Sequence, residues 1–208
     1  MTTMNSNRRL SQSWCRAAIF LAAIASVCGP RAAEAQTTWT VTTGTWSAGT
    51  SWQGGTAPTA TGTAYFSDAS VGSSGVTSLL STNVTIAGLS FNTSGSTVIS
   101  AASSTAALLT LGTGGIAMNA TSGAVTIGAS GSAVNLSLAG TQTWTNDSSG
   151  LLSILGTIDG SSALTIAGSG STTLSGQIRG LSSLTKDGGG MLTLSAANMF
   201  SGTTRVVN

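Results

Sequence analysis

The stretch LTKDGGGMLTLSAANMFSGTTRVVN, residues 184–208, sets the rhythm that decides the fold. Apolar residues alternate with small polar ones at its start and again from Met191 to Leu194, and glycines separate the two runs. Alternation with a period of two is typical of a strand with one buried face, and glycine is favoured where a corner needs positive φ. The stretch therefore predicts short strands joined by sharp corners.

The same rhythm extends upstream to residue 84, without any window of helical periodicity. Gly, Asn, Asp or Ser lies between neighbouring runs, as turns require. The predicted strands span residues 84–91, 96–100, 107–112, 115–119, 124–128, 133–140, 142–146, 151–158, 163–168, 172–176, 183–188, 191–196 and 203–207. The fold class is therefore all-β.

The strands also resemble one another at a spacing of about 20–30 residues, which is typical of a solenoid. Related runs are LLTLGTGG at 108–115, ALTIAGSGS at 163–171 and MLTLSAAN at 191–198. We expect a right-handed parallel β-helix in which each turn, here called a coil, supplies two or three strands. Each strand would pair with its equivalent in the next coil, about 4.8 Å away. At about 22 residues per coil, the chain would form about seven or eight coils.

Residues 1–35 have the pattern of a helical secretory signal peptide: an arginine-containing start, an apolar run at 17–27, and small residues at Ala33 and Ala35 before the cleavage point. Cleavage would leave Gln36 as the first residue. The surroundings of the Arg8-Arg9 pair fit the twin-arginine route poorly, which favours the general secretory route. Lipidation of Cys28 is disfavoured by the bulky Val27 before it.

Removal of residues 1–35 would change the charge and the cysteine content. Residues 36–208 carry three basic and four acidic side chains, a net charge of −1, and no cysteine. A nucleic-acid partner is not expected, because no basic stripe remains to bind phosphates. Stability would have to come from repetition and backbone pairing rather than from disulfides. Recurrent Val, Ile, Leu and Thr favour this ordered fold over low-complexity disorder.

Residues 36–83 differ from the rest, because Trp39, Trp46, Trp52 and the pair Tyr65-Phe66 lie close together in the sequence. One interpretation is a sugar-stacking surface; the favoured one is an N-terminal cap, with the first coils, whose rings close the open end of the solenoid. Residues 84–208 would then form the remaining coils. Trp144 is expected to fill the interior of a coil rather than to stack on a sugar.

The chain has few residue types that carry chemistry. Histidine is absent, and only four aspartates remain after residue 35. Asp147 and Asp159 form an acidic pair in one interpretation and cap turns in the favoured one. The run 186–190 has a faint likeness to calcium-binding repeats, but it occurs once. We expect no catalytic residue, no cofactor, no metal site and no enzyme.

The opening stretch resembles the autotransporter-associated β-strand repeat, also called the passenger-associated transport repeat. That repeat reads approximately L-T-K-x-G-x-G-x-L-x-L-S-x-x-N-x-[YF]-S-G-x-T-x-[VI]. The positions that match include Leu184, Lys186, Gly188, Gly190, Leu192, Leu194, Asn198, Phe200, Gly202 and Thr204. Ordered matches of this number are specific, although only residues 184–208 carry the defined motif.

The resemblance implies an exported, non-enzymatic passenger, or a fragment of one, at the surface of a Gram-negative bacterium or secreted from it. Adhesion or surface presentation would be its role, and a surface glycan or another cell-surface ligand its candidate partner. Association with the outer membrane is expected only through a barrel or anchor that residues 1–208 lack. Two alternatives stay open: the scaffold of an exported enzyme whose catalytic part is missing, and a passive spacer.

Overall fold

The computed structural model describes residues 35–207, and the predicted signal-peptide helix lies outside them. All pairings between the named strands are parallel. Equivalent strands of successive coils pair side by side, and the chain passes through three sets of strands, here called faces A, C and B, in that order. The predicted all-β parallel β-helix is therefore confirmed.

Face A contains one strand from each of eight passes of the chain. Its members are β1 Gln36–Thr38, β3 Thr63–Ser67, the second halves of β5 Val84–Asn92 and β7 Ala107–Met118, β10 Gln142–Asn146, β13 Ala163–Ala167, β16 Ser183–Lys186 and β18 Thr203–Val206. The number of passes agrees with the seven or eight predicted coils.

Faces C and B complete the coils. Face C is made of β2 Thr43–Thr45, β4 Val76–Leu80, β6 Thr97–Ala101, β8 Val125–Ile127, β11 Leu152–Ile154, β14 Thr172–Leu174 and β17 Leu192–Leu194. Face B is made of the first halves of β5 and β7, then β9 Val134–Leu138, β12 Ile158–Gly160 and β15 Ile178–Arg179. The long strands β5 and β7 therefore each pass from face B to face A.

From residue 84 onward the predicted strands agree with these elements except at three places. The predicted strands 107–112 and 115–119 form the single strand β7, and the other two differences lie on face B. The predicted strand 151–158 is two strands, because the chain turns from face C to face B at Gly156, where an added Cβ would lie 1.9 Å from the carbonyl oxygen of Val134. The two-residue strand β15 escapes prediction because it is too short to show alternation. Coil length also falls along the chain: Gly88 pairs with Gly115, whereas Ser183 pairs with Thr203 only twenty residues later.

Helical segments are short in the described part of the chain. The 3₁₀ helices span Gly49–Ser51 and Gln53–Gly55, and the single α-helical turn, α1, spans Asp68–Val71. The hydroxyl of Ser67 caps α1 by accepting a hydrogen bond from the backbone N–H of Ala69. Within residues 35–207, no helix combines the length and hydropathy that a membrane-spanning helix needs.

The core is built from columns of inward side chains that run from coil to coil. On face C, Ile99, Ile127, Ile154 and Leu174 pair in register and are almost fully buried. The neighbouring residues on the outer side of the same strands also pair in register and are half-buried: Thr126 pairs with Ser153, and Ser153 pairs with Thr173. The period-two pattern thus separates an apolar interior from an uncharged outer surface.

An aromatic cluster, defined here as Trp39, Trp46, Trp52 and Phe66, begins in the first coil. The three tryptophans expose 3% of their surface or less, and Trp52 packs edge-on at 4.9 Å from Trp39 and 4.8 Å from Trp46, measured between ring centroids. Phe66 continues the cluster into the next coil, where it stacks on Phe91 at 5.2 Å. Strands β1 and β2 lie at the ends of their sheets, so the cluster fills the interior of a terminal coil.

Candidate functional site: the C-terminal repeat

The acidic side chains lie apart from one another in the described part of the chain. Among residues 35–207, no three carboxylate, histidine or cysteine side chains lie close enough together to hold a metal ion. Asp159 does not pair with Asp147; it forms an ion pair with Arg179 of the next coil, with 2.7 Å between Oδ2 and Nη2. This pair is exposed on face B, and its contribution to stability is correspondingly small.

The tryptophans singled out by the sequence offer no surface for sugar stacking. Trp39, Trp46 and Trp52 are buried in the aromatic cluster, and Trp144 is fully buried, as expected for the interior of a coil. The indole N–H of Trp144 donates to the side-chain oxygen of Gln142 at 2.7 Å. Gln142 is a buried polar residue that was not predicted from the sequence, although it lies two residues before Trp144 and therefore on the same side of β10.

The predicted cleavage residues lie at the edge of the described chain. Ala33 is outside the described residues, whereas Ala35 is exposed and its carbonyl oxygen accepts a hydrogen bond from the backbone N–H of Thr63 at 3.0 Å. Gln36 is the first residue of β1. A chain cleaved after Ala35 would therefore keep all of its first strand, and the cleavage itself stays a prediction.

The repeat motif at 184–208 supplies strands to two faces. Leu184 lies in β16 on face A with its side chain fully buried, and it pairs with Leu164 of the preceding coil. Leu192 and Leu194 lie in β17 on face C, in register with Thr172 and Leu174. The two alternating runs of the motif thus form consecutive sides of one coil. Strand β18 then returns the chain to face A, where it pairs with β16.

Two of the three glycines between these strands are required by the geometry of the corner. Gly188 has a φ of 77°, and an added Cβ would lie 2.8 Å from the carbonyl oxygen of Gly168. At Gly190 the added Cβ would lie 2.0 Å from the carbonyl oxygen of Gly170, whereas at Gly189 it would meet nothing within 4 Å. The motif positions that specify glycine are thus those at which the backbone passes close to the preceding coil.

The inward position of Lys186 is unexpected, because lysine side chains are normally exposed to solvent. Its side chain is 8% exposed and occupies an inward position, paired in register with Ile166. The ammonium group donates to the carbonyl oxygens of Asp187 and Gly188 at 2.7 and 2.8 Å. A lysine in this position therefore satisfies backbone acceptors at the corner, rather than presenting a charge to solvent.

The corner between faces C and B is held by Asn198. Its side-chain oxygen accepts a hydrogen bond from the backbone N–H of Ile178 at 2.8 Å, which joins two successive coils. The side-chain amide of Gln177 donates to the carbonyl oxygen of Ala197 at 2.7 Å beside it. Phe200 follows, half-buried against the core, and Gly202 leads into β18, where Thr204 is exposed.

A comparison with protein-family models matches residues 184–208 to the passenger-associated-transport-repeat. Searches of the curated proteins and of the solved structures find no match to the chain. The matched residues include strands β16, β17 and β18, the glycine corner at Gly188 and Gly190, and Asn198, which binds the backbone of the preceding coil. Residues 184–208 are therefore similar to a passenger-associated transport repeat, and this match supports an autotransporter passenger-associated repeat protein.

Proposed function

We propose that the chain is a non-enzymatic, exported surface protein, an autotransporter passenger or part of one, whose coils present an uncharged surface for adhesion. The observation that supports this proposal most strongly is that the matched repeat is continuous with the rest of the β-helix. Strand β16 of the repeat pairs with β13 over four residues, and β17 pairs with β14 over three. The repeat is therefore built as coils of the same solenoid, and the function that it indicates extends to that solenoid.

The outer surface supports a role in contact rather than in chemistry. Residues 36–208 carry seven charged side chains, and hydroxyl-bearing residues such as Thr126, Ser153 and Thr173 form the outer columns. Hydroxyl groups donate and accept hydrogen bonds, which suits a neutral, hydroxylated partner. A surface glycan or another cell-surface ligand is the proposed partner, and nucleic acid is not.

Export is tested by expressing the full chain in a Gram-negative host and fractionating the cells. We expect the protein outside the cytoplasm, beginning at Gln36 when the N-terminus is sequenced. Ala33→Leu and Ala35→Leu should leave the longer precursor, because the peptidase needs small residues there. Ala32→Leu, beside these positions, is the matched control and should be processed normally. Retention of all three variants and of the unaltered protein in the cytoplasm would refute the proposal.

Adhesion is tested separately, by measuring binding of the exported protein to immobilised glycans and to whole cells. Saturable binding that is insensitive to salt is expected, because the surface is almost uncharged. Exported protein that binds neither target would favour the passive spacer. Cleavage of a glycan by the protein would favour the enzyme scaffold and would contradict a non-enzymatic role.

A further inference from the structure

Tyr65 lies on the outer surface of face A, apart from the aromatic residues with which the sequence groups it. Its neighbours Ala64 and Phe66 in β3 are fully buried in the core, so alternation directs the Tyr65 side chain outward, where it is half-buried. Every other aromatic side chain of residues 35–207 is buried or packs against the core. The structure thus separates the pair Tyr65-Phe66 into one core residue and one residue that solvent reaches.

The phenol group of Tyr65 is held in place by residues of the next two coils. Its oxygen accepts a hydrogen bond from the side-chain amide nitrogen of Asn92 at 3.2 Å. The amide oxygen of Asn92 in turn accepts a hydrogen bond from the hydroxyl group of Thr121 at 2.8 Å. Asn92 is the last residue of β5, so the phenol group lies toward the corner between faces A and C.

A carboxylate lies at the same corner. Asp68 is the first residue of α1, and its Oδ1 accepts a hydrogen bond from the backbone N–H of Ser94 at 2.8 Å. Because Ser94 follows Asn92 by two residues, one short segment holds both the phenol group and the carboxylate. Hydrogen bonds from Ser94 hold the pKa of Asp68 below its ordinary value, so the carboxylate is charged at neutral pH. Asp68 forms no ion pair with any described residue.

The four residues Tyr65, Asn92, Thr121 and Asp68, here called the Tyr65 site, keep hydrogen-bonding capacity beyond these contacts. The phenol oxygen is the acceptor toward Asn92, so its own proton is available for donation. The amide nitrogen of Asn92 carries a second proton, and a carboxylate accepts several hydrogen bonds at once. The site thus combines an aromatic ring with donors and an acceptor beside its tip.

We propose that the Tyr65 site binds a neutral hexopyranose unit of a glycan, a proposal that rests on the adhesive function proposed above. A pyranose ring presents a face of C–H groups, which packs on an aromatic ring as other apolar surface does. Its hydroxyl groups both donate and accept, so they match the phenol proton, the Asn92 amide and the Asp68 carboxylate. The negative charge of Asp68 disfavours acidic sugars, because like charges repel.

Saturation-transfer difference NMR of the exported protein with soluble pentasaccharides tests the proposal. The probes are cellopentaose and maltopentaose, which are neutral, and pentagalacturonate, which is acidic. Binding is expected for at least one neutral probe and not for pentagalacturonate. Tyr65→Ala removes the ring and should weaken binding of the neutral probe about tenfold, whereas Tyr65→Phe keeps the ring and should weaken it less. Asp68→Asn removes the charge and should increase binding of pentagalacturonate.

Thr145→Ala is the matched control for the substitutions at Tyr65. Thr145 lies in the same outward column as Tyr65, which continues through Ser90 and Ala117, but it belongs to a later coil. This variant should bind the neutral probe as the unaltered protein does. Circular dichroism spectra like that of the unaltered protein would show that each variant folds.

The possible results separate the Tyr65 site from the adhesive function. Equal binding of the neutral probe by Tyr65→Ala and the unaltered protein would overturn the site and leave the adhesive function in place. A protein that binds whole cells but neither neutral probe would also overturn the site alone. A protein that binds neither cells nor probes would overturn both proposals. Binding of pentagalacturonate as tight as that of the neutral probes would contradict a neutral ligand.

Discussion

Lys186 pairs in register with Ile166, so an ammonium group follows an alkyl side chain in the same inward column of face A. The column accepts this change because the lysine stem packs like an aliphatic residue, while its Nζ reaches the carbonyl oxygens of Asp187 and Gly188. Ile166 therefore only packs in this column, whereas Lys186 packs there and also donates hydrogen bonds to the backbone carbonyl oxygens of the glycine corner.

Replacement of this lysine by methionine measures the polar part of its role. Lys186→Met keeps an unbranched apolar stem but leaves the two carbonyl oxygens without their charged donor. We expect the free energy of unfolding to fall by about 1.5–3 kcal/mol, the range for hydrogen bonds to charged groups. Urea denaturation followed by circular dichroism gives the value. Thr185→Met, on the outer side of the same strand, should change it by about 0.5 kcal/mol or less.

The neighbouring glycines Gly189 and Gly190 should respond differently to the same substitution. Gly190→Ala places a Cβ 2.0 Å from the carbonyl oxygen of Gly170, so the two coils must move apart and the melting temperature should fall markedly. Gly189→Ala meets nothing within 4 Å and removes chain entropy from the unfolded state, which stabilises by about 0.4–1 kcal/mol. Equal melting temperatures for the two variants would contradict the close approach of the coils at Gly190.

The solenoid is well predicted from the sequence because the same strand pattern recurs in successive coils. Period-two alternation identifies the strand near residues 163–168 and again near 183–188, and their likeness indicates that they stack, as β13 and β16 do. One occurrence is weaker evidence: the corner at Gly156 lies inside an apolar run and looks like the middle of a strand. Only the pairing of β12 with β9 shows that the chain turns there.

The side-chain roles within the candidate site were harder to predict for a physical reason. Leu184 and Leu192 are apolar, so their inward placement follows from burial of hydrophobic surface. Lys186 has the same parity as Leu184, but a lysine is normally exposed, and the carbonyl oxygens that it satisfies exist only once the glycine corner has formed. Asn198 likewise binds the backbone of a different coil, twenty residues earlier in the sequence.

Two inward threonines offer a route to a more stable protein. Thr97 and Thr172 lie in the column of face C that also contains Val125 and Leu152, and their buried hydroxyl groups have no hydrogen-bond partner among the described residues. Replacement by valine retains the branched shape and removes an unsatisfied polar group, so we expect Thr97→Val and Thr172→Val each to stabilise by about 1 kcal/mol. Chemical denaturation measures this.

Thr126→Val is the matched control for these two substitutions, because Thr126 lies on the outer side of the same face and is half-buried. Its effect should be about 0.5 kcal/mol or less. Destabilisation by Thr97→Val or Thr172→Val would show that the buried hydroxyl groups are satisfied by bound water, and would contradict this interpretation of the column.

Acid should weaken the contact between Asp68 and Ser94. Hydrogen bonds from Ser94, one of them from its backbone N–H at 2.8 Å, hold the pKa of Asp68 below its ordinary value of 3.8. A carboxyl group whose pKa is lowered by folding stabilises the folded chain above the unfolded value, and this stabilisation is lost as the pH falls through the folded value. Asp68→Asn removes the ionisable group, so its melting temperature should fall less than that of the unaltered protein between pH 5 and about pH 2. Parallel melting curves for the two proteins across this range would show that the contact contributes nothing that depends on charge.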